Sequence, residues 1–470
     1  TLGHVVDDRL AANDVRLTMG GEPTFVSIDD MTGDEWQTAA VGPTKRRLAG
    51  DLLMRLKSRF APTGLVHHGQ GKWYLGESLP RWAMHNYWRL DGEPIWLDPA
   101  LFADIEGDYG HTAADAMTFI RSLAERLAVN PDHAVHAFED VMYYTWRERR
   151  LPANVDVHDS KLEDAEERAR IARVFEQGIT QPVGTVLPLQ FRWWEESPRW
   201  QSGAWVVRSD EMFLIPGDSP MGYRLPLQSL LYAGGDAATA EYYALDPLDA
   251  TAALPPYRAL RQRRDEVPWS VGYYGNGVAD STAVAVRRQR QLTAVGADGG
   301  HGFAGGDEGD SDSHAETPDS PRATRGGEPY KVDGWYGDPS DVVRTALCVE
   351  PREGKLHVFM PPIDRLEVYL DLVAAVEQTA EALATPVVLE GYLPPHDSRL
   401  QHIKISPDPG VIAVNVHPAH NWGELVEITG DEAEVSLIRR PAAGGGGAPS
   451  ALVANTFCRN QSCAGAPFLI

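Results

Sequence analysis

Two glutamates end apolar runs late in the chain: Leu347-Cys348-Val349-Glu350 and Val387-Val388-Leu389-Glu390. A carboxylate at the end of a buried strand is costly unless it is paired or bound to a cation. The run from Val411 to Pro418 alternates so that Ala413, Asn415 and His417 fall on one face of a strand. Like unit charges about 4 Å apart repel by roughly 4 kcal/mol at an effective dielectric of about 20, so clustered glutamates need cations. Oxygen donors with one imidazole favour Mg²⁺ or Mn²⁺ over zinc. Taken singly, each acid also fits a solvated sheet end.

Three glycine- or proline-rich turns carry further polar groups. Met19-Gly20-Gly21-Glu22-Pro23 frees the backbone around a carboxylate just after a short strand. In His68-Gly69-Gln70-Gly71-Lys72-Trp73, a lysine sits in a glycine turn able to approach a phosphate through backbone N–H groups. It lacks a Walker pattern, and a tight turn with a snorkelling Lys72 fits equally. The loop Pro216 to Pro226 fixes Arg224 between prolines and a glycine, which suits bidentate recognition of a carboxylate or phosphate. Pairing of Arg224 with a local acid such as Asp218 is the alternative.

Helical and strand periodicities must position these groups. Thr44 is placed to cap a helix through Phe60, with Leu48, Leu52, Leu56 and Phe60 on one face and Lys45, Arg46, Arg47, Arg55, Lys57 and Arg59 on the other. Asn130-Pro131 is expected to open a helix to about Tyr144, and Ser160 to Gln177 reads as a charged helix. Strands are expected at Arg16–Thr18, Leu65–His68, Ala204–Arg208, Phe213–Pro216, Arg344–Val349, Lys355–Phe359, Val387–Gly391 and Gly410–Val416. Pro351-Arg352-Glu353-Gly354 supplies a hairpin turn, and Asp364 caps a helix to about Ala384. Mixed elements with hairpin links argue an α+β fold with a largely antiparallel sheet and flanking helices.

With 470 residues, the length prior is about three domains or one large one with insertions. The net charge of −24 argues against a nucleic-acid partner. No apolar run is long enough for a membrane-spanning helix. Three cysteines are too few for a disulfide scaffold or a four-ligand zinc site, and Cys348 reads as inert core. Starting at Thr1 without a leader, the chain reads as a piece of a longer cytoplasmic protein. Residues 296–329 contain no Val, Ile or Leu and are expected to form a flexible linker or insertion between 1–295 and 330–429.

The blocks LTMGGEPTFVSIDD, GPTKRRLAG, GQGKWYLGESLPRW, GDSPMGYRLPL, RTALCVEPREGKLHVFMPP, VVLEGYLPPHD and DPGVIAVNVHPAHNWGELVEIT resemble a bacterial amidoligase domain found downstream of transglutaminase-like domains. The resemblance runs from about Asp7 to Thr429 and implies distant kinship with glutamine synthetase and glutamate–cysteine ligase. It implies a half-barrel antiparallel sheet, ATP-dependent joining of a carboxylate to an amine, and small-molecule or peptide substrates. It further implies ATP and Mg²⁺ (or Mn²⁺) as cofactors and a fused or neighbouring transglutaminase-like partner. The family's metal positions match Glu22, Glu350, Glu390, Asn415 and His417, and the resemblance sets Lys72 and Arg224 near phosphate or substrate carboxylate.

Two departures stand out. Where the family pattern reads GVIEVNIHPA, this chain has Ala413. After Thr429 the expected long helix and glycine-rich Asn-His loop give way to a low-complexity tail over 430–470, with a short glycine run and no histidine. The tail reads as truncated or frameshifted and the sheet as incomplete at its C-terminal end, so catalysis is expected to be impaired. Two other functions compete: a non-catalytic binding module serving the transglutaminase-like partner, and a glycan hydrolase using Glu77 and Glu93 among Trp73, Trp82, Trp88, Trp193 and Trp194.

Overall fold

The computed structural model describes residues 2–15, 20–27, 29–75, 77, 79–151, 155–159, 161–192, 199–205, 207, 211–230, 252–266, 330–332, 335–337, 342–428 and 452–455. The expected strand at 16–18, the linker 296–329, Trp193, Trp194, Cys458 and Cys463 lie outside them.

Helices are α1 (Leu2–Ala12), α2 (Pro43–Phe60), α3 (Ala113–Arg126), α4 (Val141–Glu148), α5 (Ala165–Gln177), α6 (Tyr257–Glu266), α7 (Leu366–Leu383) and α8 (422–428). Strands before the linker are β1 (Thr24–Ser27), β2 (Leu65–Gln70), β3 (Trp82–Arg89), β4 (Val135–Phe138), β5 (Gly184–Pro188), β6 (Gln190–Arg192), β7 (Arg199–Gln201) and β8 (Met212–Phe213). After it come β9 (Tyr330–Val332), β10 (Trp335–Gly337), β11 (Ala346–Arg352), β12 (Lys355–Met360), β13 (Val387–Gly391), β14 (Leu400–Asp408), β15 (Val411–Asn415) and β16 (Leu452–Asn455).

Twelve of these described strands form one sheet in the order β16-β1-β15-β14-β3-β2-β13-β12-β11-β5-β4-β8. Only β12–β13, β13–β2 and β4–β8 pair in parallel. The fold is therefore α+β with a mostly antiparallel sheet. Strands from both sides of residues 296–329 interleave in it, β11 against β5 and β14 against β3. β16, within the low-complexity tail, pairs with β1 at the edge.

The helices follow their apolar faces, with informative exceptions. α2 buries Leu48, Leu52 and Leu56 as its spacing predicts, but Lys45 and Lys57 also turn inward. Lys45 Nζ donates to the carbonyls of Ala39, Ala40 and Asp408 at 2.9–3.1 Å. Desolvation nonetheless lowers its pKa to about 8. α2 is capped at Gly42 rather than Thr44, because the Glu35 carboxylate accepts from the Lys45 N–H at 2.7 Å and Pro43 needs no partner.

The expected helix from Asn130 is a single 3-10 turn, Pro131–His133, followed by β4, with α4 starting only where Asp140 caps the Tyr143 N–H. α5 likewise begins at Ala165, capped by Asp164 rather than near Ser160. α7 starts at Leu366 with Arg365, not Asp364, at the cap position. Residues 204, 205 and 207 are not a strand; Trp205 is buried and its indole donates to the Val343 carbonyl at 2.7 Å.

Candidate active site

The β11–β12 hairpin builds the centre of the site. Its two-residue turn, Glu353-Gly354, has φ of 50° and 68°, as a type I′ turn requires. That register sets Glu350 opposite His357 and Cys348 opposite Phe359. Phe359 in turn pairs with Glu390 on β13, and Glu390 with His68 on β2. Partners in register share a sheet face, so Glu350, His357, Glu390 and His68 come together from four strands.

Arg352 ties this group together. Its Nη1 donates to Glu350 Oε2 at 3.1 Å and its Nη2 to Glu390 Oε2 at 2.5 Å. Both glutamates are buried, whereas 32% of the Arg352 side chain is exposed, so the guanidinium is the site's mouth. The same Nη2 lies 2.6 Å from His357 Nδ1. A guanidinium can only donate, so Nδ1 is the acceptor and the His357 proton sits on Nε2. Burial and the Arg352 charge lower the pKa of His357, consistent with a neutral ring.

The two acids respond in opposite directions. Burial, reinforced by Glu390, raises Glu350 despite Arg352, whereas for Glu390 burial is the largest single influence, and Arg352 and His357 together overcome it and hold the carboxyl down. The two acids thus share one guanidinium unequally, Glu390 the more strongly held as an anion. Glu390 Oε1 and His357 Nε2 are buried without a hydrogen-bond partner. The Met221 N–H also reaches Glu350 Oε2, at 3.1 Å. Gly222 permits that approach, since a Cβ there would lie 2.2 Å from the Phe359 ring.

A second polar group forms around β14 and β15. Asn415 Nδ2 donates to Glu22 Oε1 at 2.9 Å, and Lys404 stands opposite Asn415 in the ladder. Burial and the nearby Lys72 lower the pKa of Lys404. Ala413 is buried between Thr24 and Ser406 on the same face. His417 packs edge-on against Phe60 and Trp88, with ring centroids 5.5 and 5.2 Å away.

The expected ligands are thus brought together as two pairs, Glu350 with Glu390 and Glu22 with Asn415. Among the described residues no hydrogen bond or ion pair joins one pair to the other. No three His, Cys, Asp or Glu side chains among them gather closely enough to hold a metal ion. Between Glu350 and Glu390 the guanidinium already stands where a divalent cation would, so these side chains as placed do not fit a resident metal.

Arg224 is buried and pairs with Glu139, while Asp218 pairs with Arg170 and Arg173. Glu77 binds Arg81, and Glu93 accepts from the Tyr257 N–H. Arg352 and His357 were missed from the sequence, although alternation along Cys348-Val349-Glu350-Pro351-Arg352 and across the hairpin puts both on the glutamate face. Cys348 is buried in β11, where desolvation raises its thiol. Among the described residues no helix is long and apolar enough to cross a membrane.

Comparison with curated proteins and with solved structures finds no significant match. A family model described as "Putative amidoligase enzyme (DUF2126)" matches residues 1–436, nearly the whole described sheet included, and the chain belongs to that family.

Proposed function

We propose that the domain carries out ATP-dependent ligation of a carboxylate to an amine, with the Arg352 cluster as its reacting centre. One observation carries this reading: two buried glutamates from separate strands share a single, part-exposed guanidinium beside a buried histidine. Such a centre offers a fixed, two-armed cation to an incoming phosphate or carboxylate, with buried acids that hold the guanidinium in place.

In this scheme Mg²⁺ enters as part of the nucleotide substrate, Mg·ATP. The substrate carboxylate attacks the γ-phosphorus, releasing ADP and leaving an acyl phosphate. The amine then attacks the acyl carbon, the C–O bond to phosphate breaks, and the proton lost from nitrogen leaves with the departing phosphate. Arg352 holds the negative oxygens in place through both steps. Lys72 and Lys404, two ammonium groups near one another on the Glu22–Asn415 face, are a secondary phosphate contact. Arg224 supports the Glu350 side of the site through its pair with Glu139, and the half-barrel architecture and transglutaminase-like partner belong to the same proposal.

Ala413 removes a carboxylate from the Glu22–Asn415 group, and on this reading turnover is slow. The test is ADP and phosphate release from Mg·ATP with an acceptor acid and amine. Slow release dependent on both acceptors supports the reading, and no release with no nucleotide binding defeats it. A non-catalytic module is the second reading, favoured by the guanidinium already filling the space between the acids. It predicts no thermal shift with Mg·ATP, whereas a site at 100 times its Kd stabilises by about 2.7 kcal/mol.

A further inference from the structure

Next to the Arg352 cluster lies a cleft of about 310 Å³ between α2, the segment 102–109 and strands β2 and β13. The sheet opens here because β2 and β13 are joined in register only at His68 and Glu390, while the start of β13 bridges to Phe102 instead. Leu53, Val66, Phe102 and Val388 line its interior, and Met54 forms an exposed wall. His68 reaches both the cleft and the Glu390 group, and Arg46, one residue before the lining Arg47, is felt by Glu390 as well. The cleft therefore abuts the reacting centre.

Its rim charges are unequal. Arg47 meets Glu106 at 3.5 Å, and Arg55 meets Asp51 at 2.6 Å. Asp104 has no cation beside it among the described residues; its carboxylate accepts the Glu106 N–H at 2.9 Å. A volume at the small end of the range for ligand pockets, with an apolar interior and one uncompensated carboxylate, disfavours a polyphosphate. It suits a compact apolar group bearing a positive charge.

We infer that this cleft is the amine subsite: it takes a primary amine with an aliphatic or aromatic body, seated on Val66 and Phe102 with its ammonium drawn by Asp104. The inference rests on the ligase reading for the amine's role in the reaction, but binding is measured without nucleotide. The experiment is calorimetric titration of the purified chain with phenethylamine and, separately, with 3-phenylpropionate, which carries the same ring and the opposite charge. Phenethylamine is expected to bind, and the acid to bind roughly tenfold more weakly.

Asp104→Asn keeps the acceptor for the Glu106 N–H and removes the charge, so it is expected to erase most of that preference. Met54→Trp fills the cleft from an exposed position and is expected to abolish binding while leaving the thermal unfolding midpoint near that of the parent. Absence of phenethylamine binding, equal affinity for the two probes, or unchanged binding in Met54→Trp overturns the inference. A failed Mg·ATP titration with intact phenethylamine selectivity defeats the ligase reading and leaves the cleft assignment standing, so the two failures are distinguishable.

Discussion

Arg352 and Glu390 form a guanidinium–carboxylate pair in which the acid is buried and the guanidinium is only partly exposed. Glu350 is held by the other arm of the same guanidinium. Removing Arg352 therefore strands two buried acids at once. Arg352→Met is expected to destabilise the fold by about 2–4 kcal/mol at neutral pH, below the full cost of a buried broken pair because the guanidinium is partly solvated. Glu390 has a depressed pKa in the folded state, so its contribution is present above the unfolded value of about 4.3 and is lost as pH falls through the folded one. Urea unfolding at several pH values should show the loss shrinking in acid.

Glu377 on α7 provides a pH response of opposite sign. Its Oε1 accepts the N–H groups of Leu97 and Asp98, at 2.6 and 2.9 Å. Burial raises its pKa to about 7 despite those bonds. A raised carboxyl contributes stability that is complete below the unfolded value and is lost as pH rises through 7. Glu377→Gln should flatten that part of the stability profile, removing a decline of at most about 3 kcal/mol between roughly pH 4.5 and 7.5. An unchanged profile in the variant would assign the slope to other groups.

Arg224 and Glu139 are both buried and face one another. Truncating Arg224 alone leaves an uncompensated acid, and Arg224→Met is expected to cost about 3–5 kcal/mol. Pairing it with Glu139→Leu should recover most of that loss. Recovery of stability, read by denaturant midpoint, identifies the pair as structural support; a double variant as unstable as the single one contradicts that role.

Lys45 holds three carbonyls from two separate segments. Lys45→Met keeps the apolar stem but leaves those acceptors buried, which should cost about 2–5 kcal/mol. Hydrogen exchange at the β14–β15 end of the sheet is expected to speed up first, since the Asp408 carbonyl lies there.

Much of the C-terminal half was legible because its signals are local. Alternation and short apolar runs bounded by turn residues mark β11, β12, β13 and β15, the turn residues mark the hairpin, and in the N-terminal half the four-residue spacing of leucines marks α2. The strand β3, Trp82-Ala83-Met84-His85-Asn86-Tyr87-Trp88-Arg89, was missed because both of its faces are largely buried and its pattern does not alternate. The inward turn of Lys45 was invisible for a different reason. A lysine on a basic helical face reads as solvated until the carbonyls that receive it, one of them 363 residues away, are known.

For the site, sequence showed which acids end apolar strands but not which cation they meet. Charge cost alone requires a positive partner for Glu350 and Glu390, and it does not choose between a metal ion and a guanidinium two residues along the same strand. His417 illustrates the converse limit. Alternation groups it with Asn415, but β15 ends at Asn415 and the chain beyond carries the imidazole to Phe60 and Trp88.

Binding of Mg·ATP at the Arg352 cluster is measured by calorimetric titration with a non-hydrolysable Mg·ATP analogue. The parent chain should give saturable binding, and Arg352→Lys, which keeps the charge but loses the two-armed fork, should weaken it by roughly tenfold or more. No binding to the folded parent, or equal affinity in Arg352→Lys, would contradict the account.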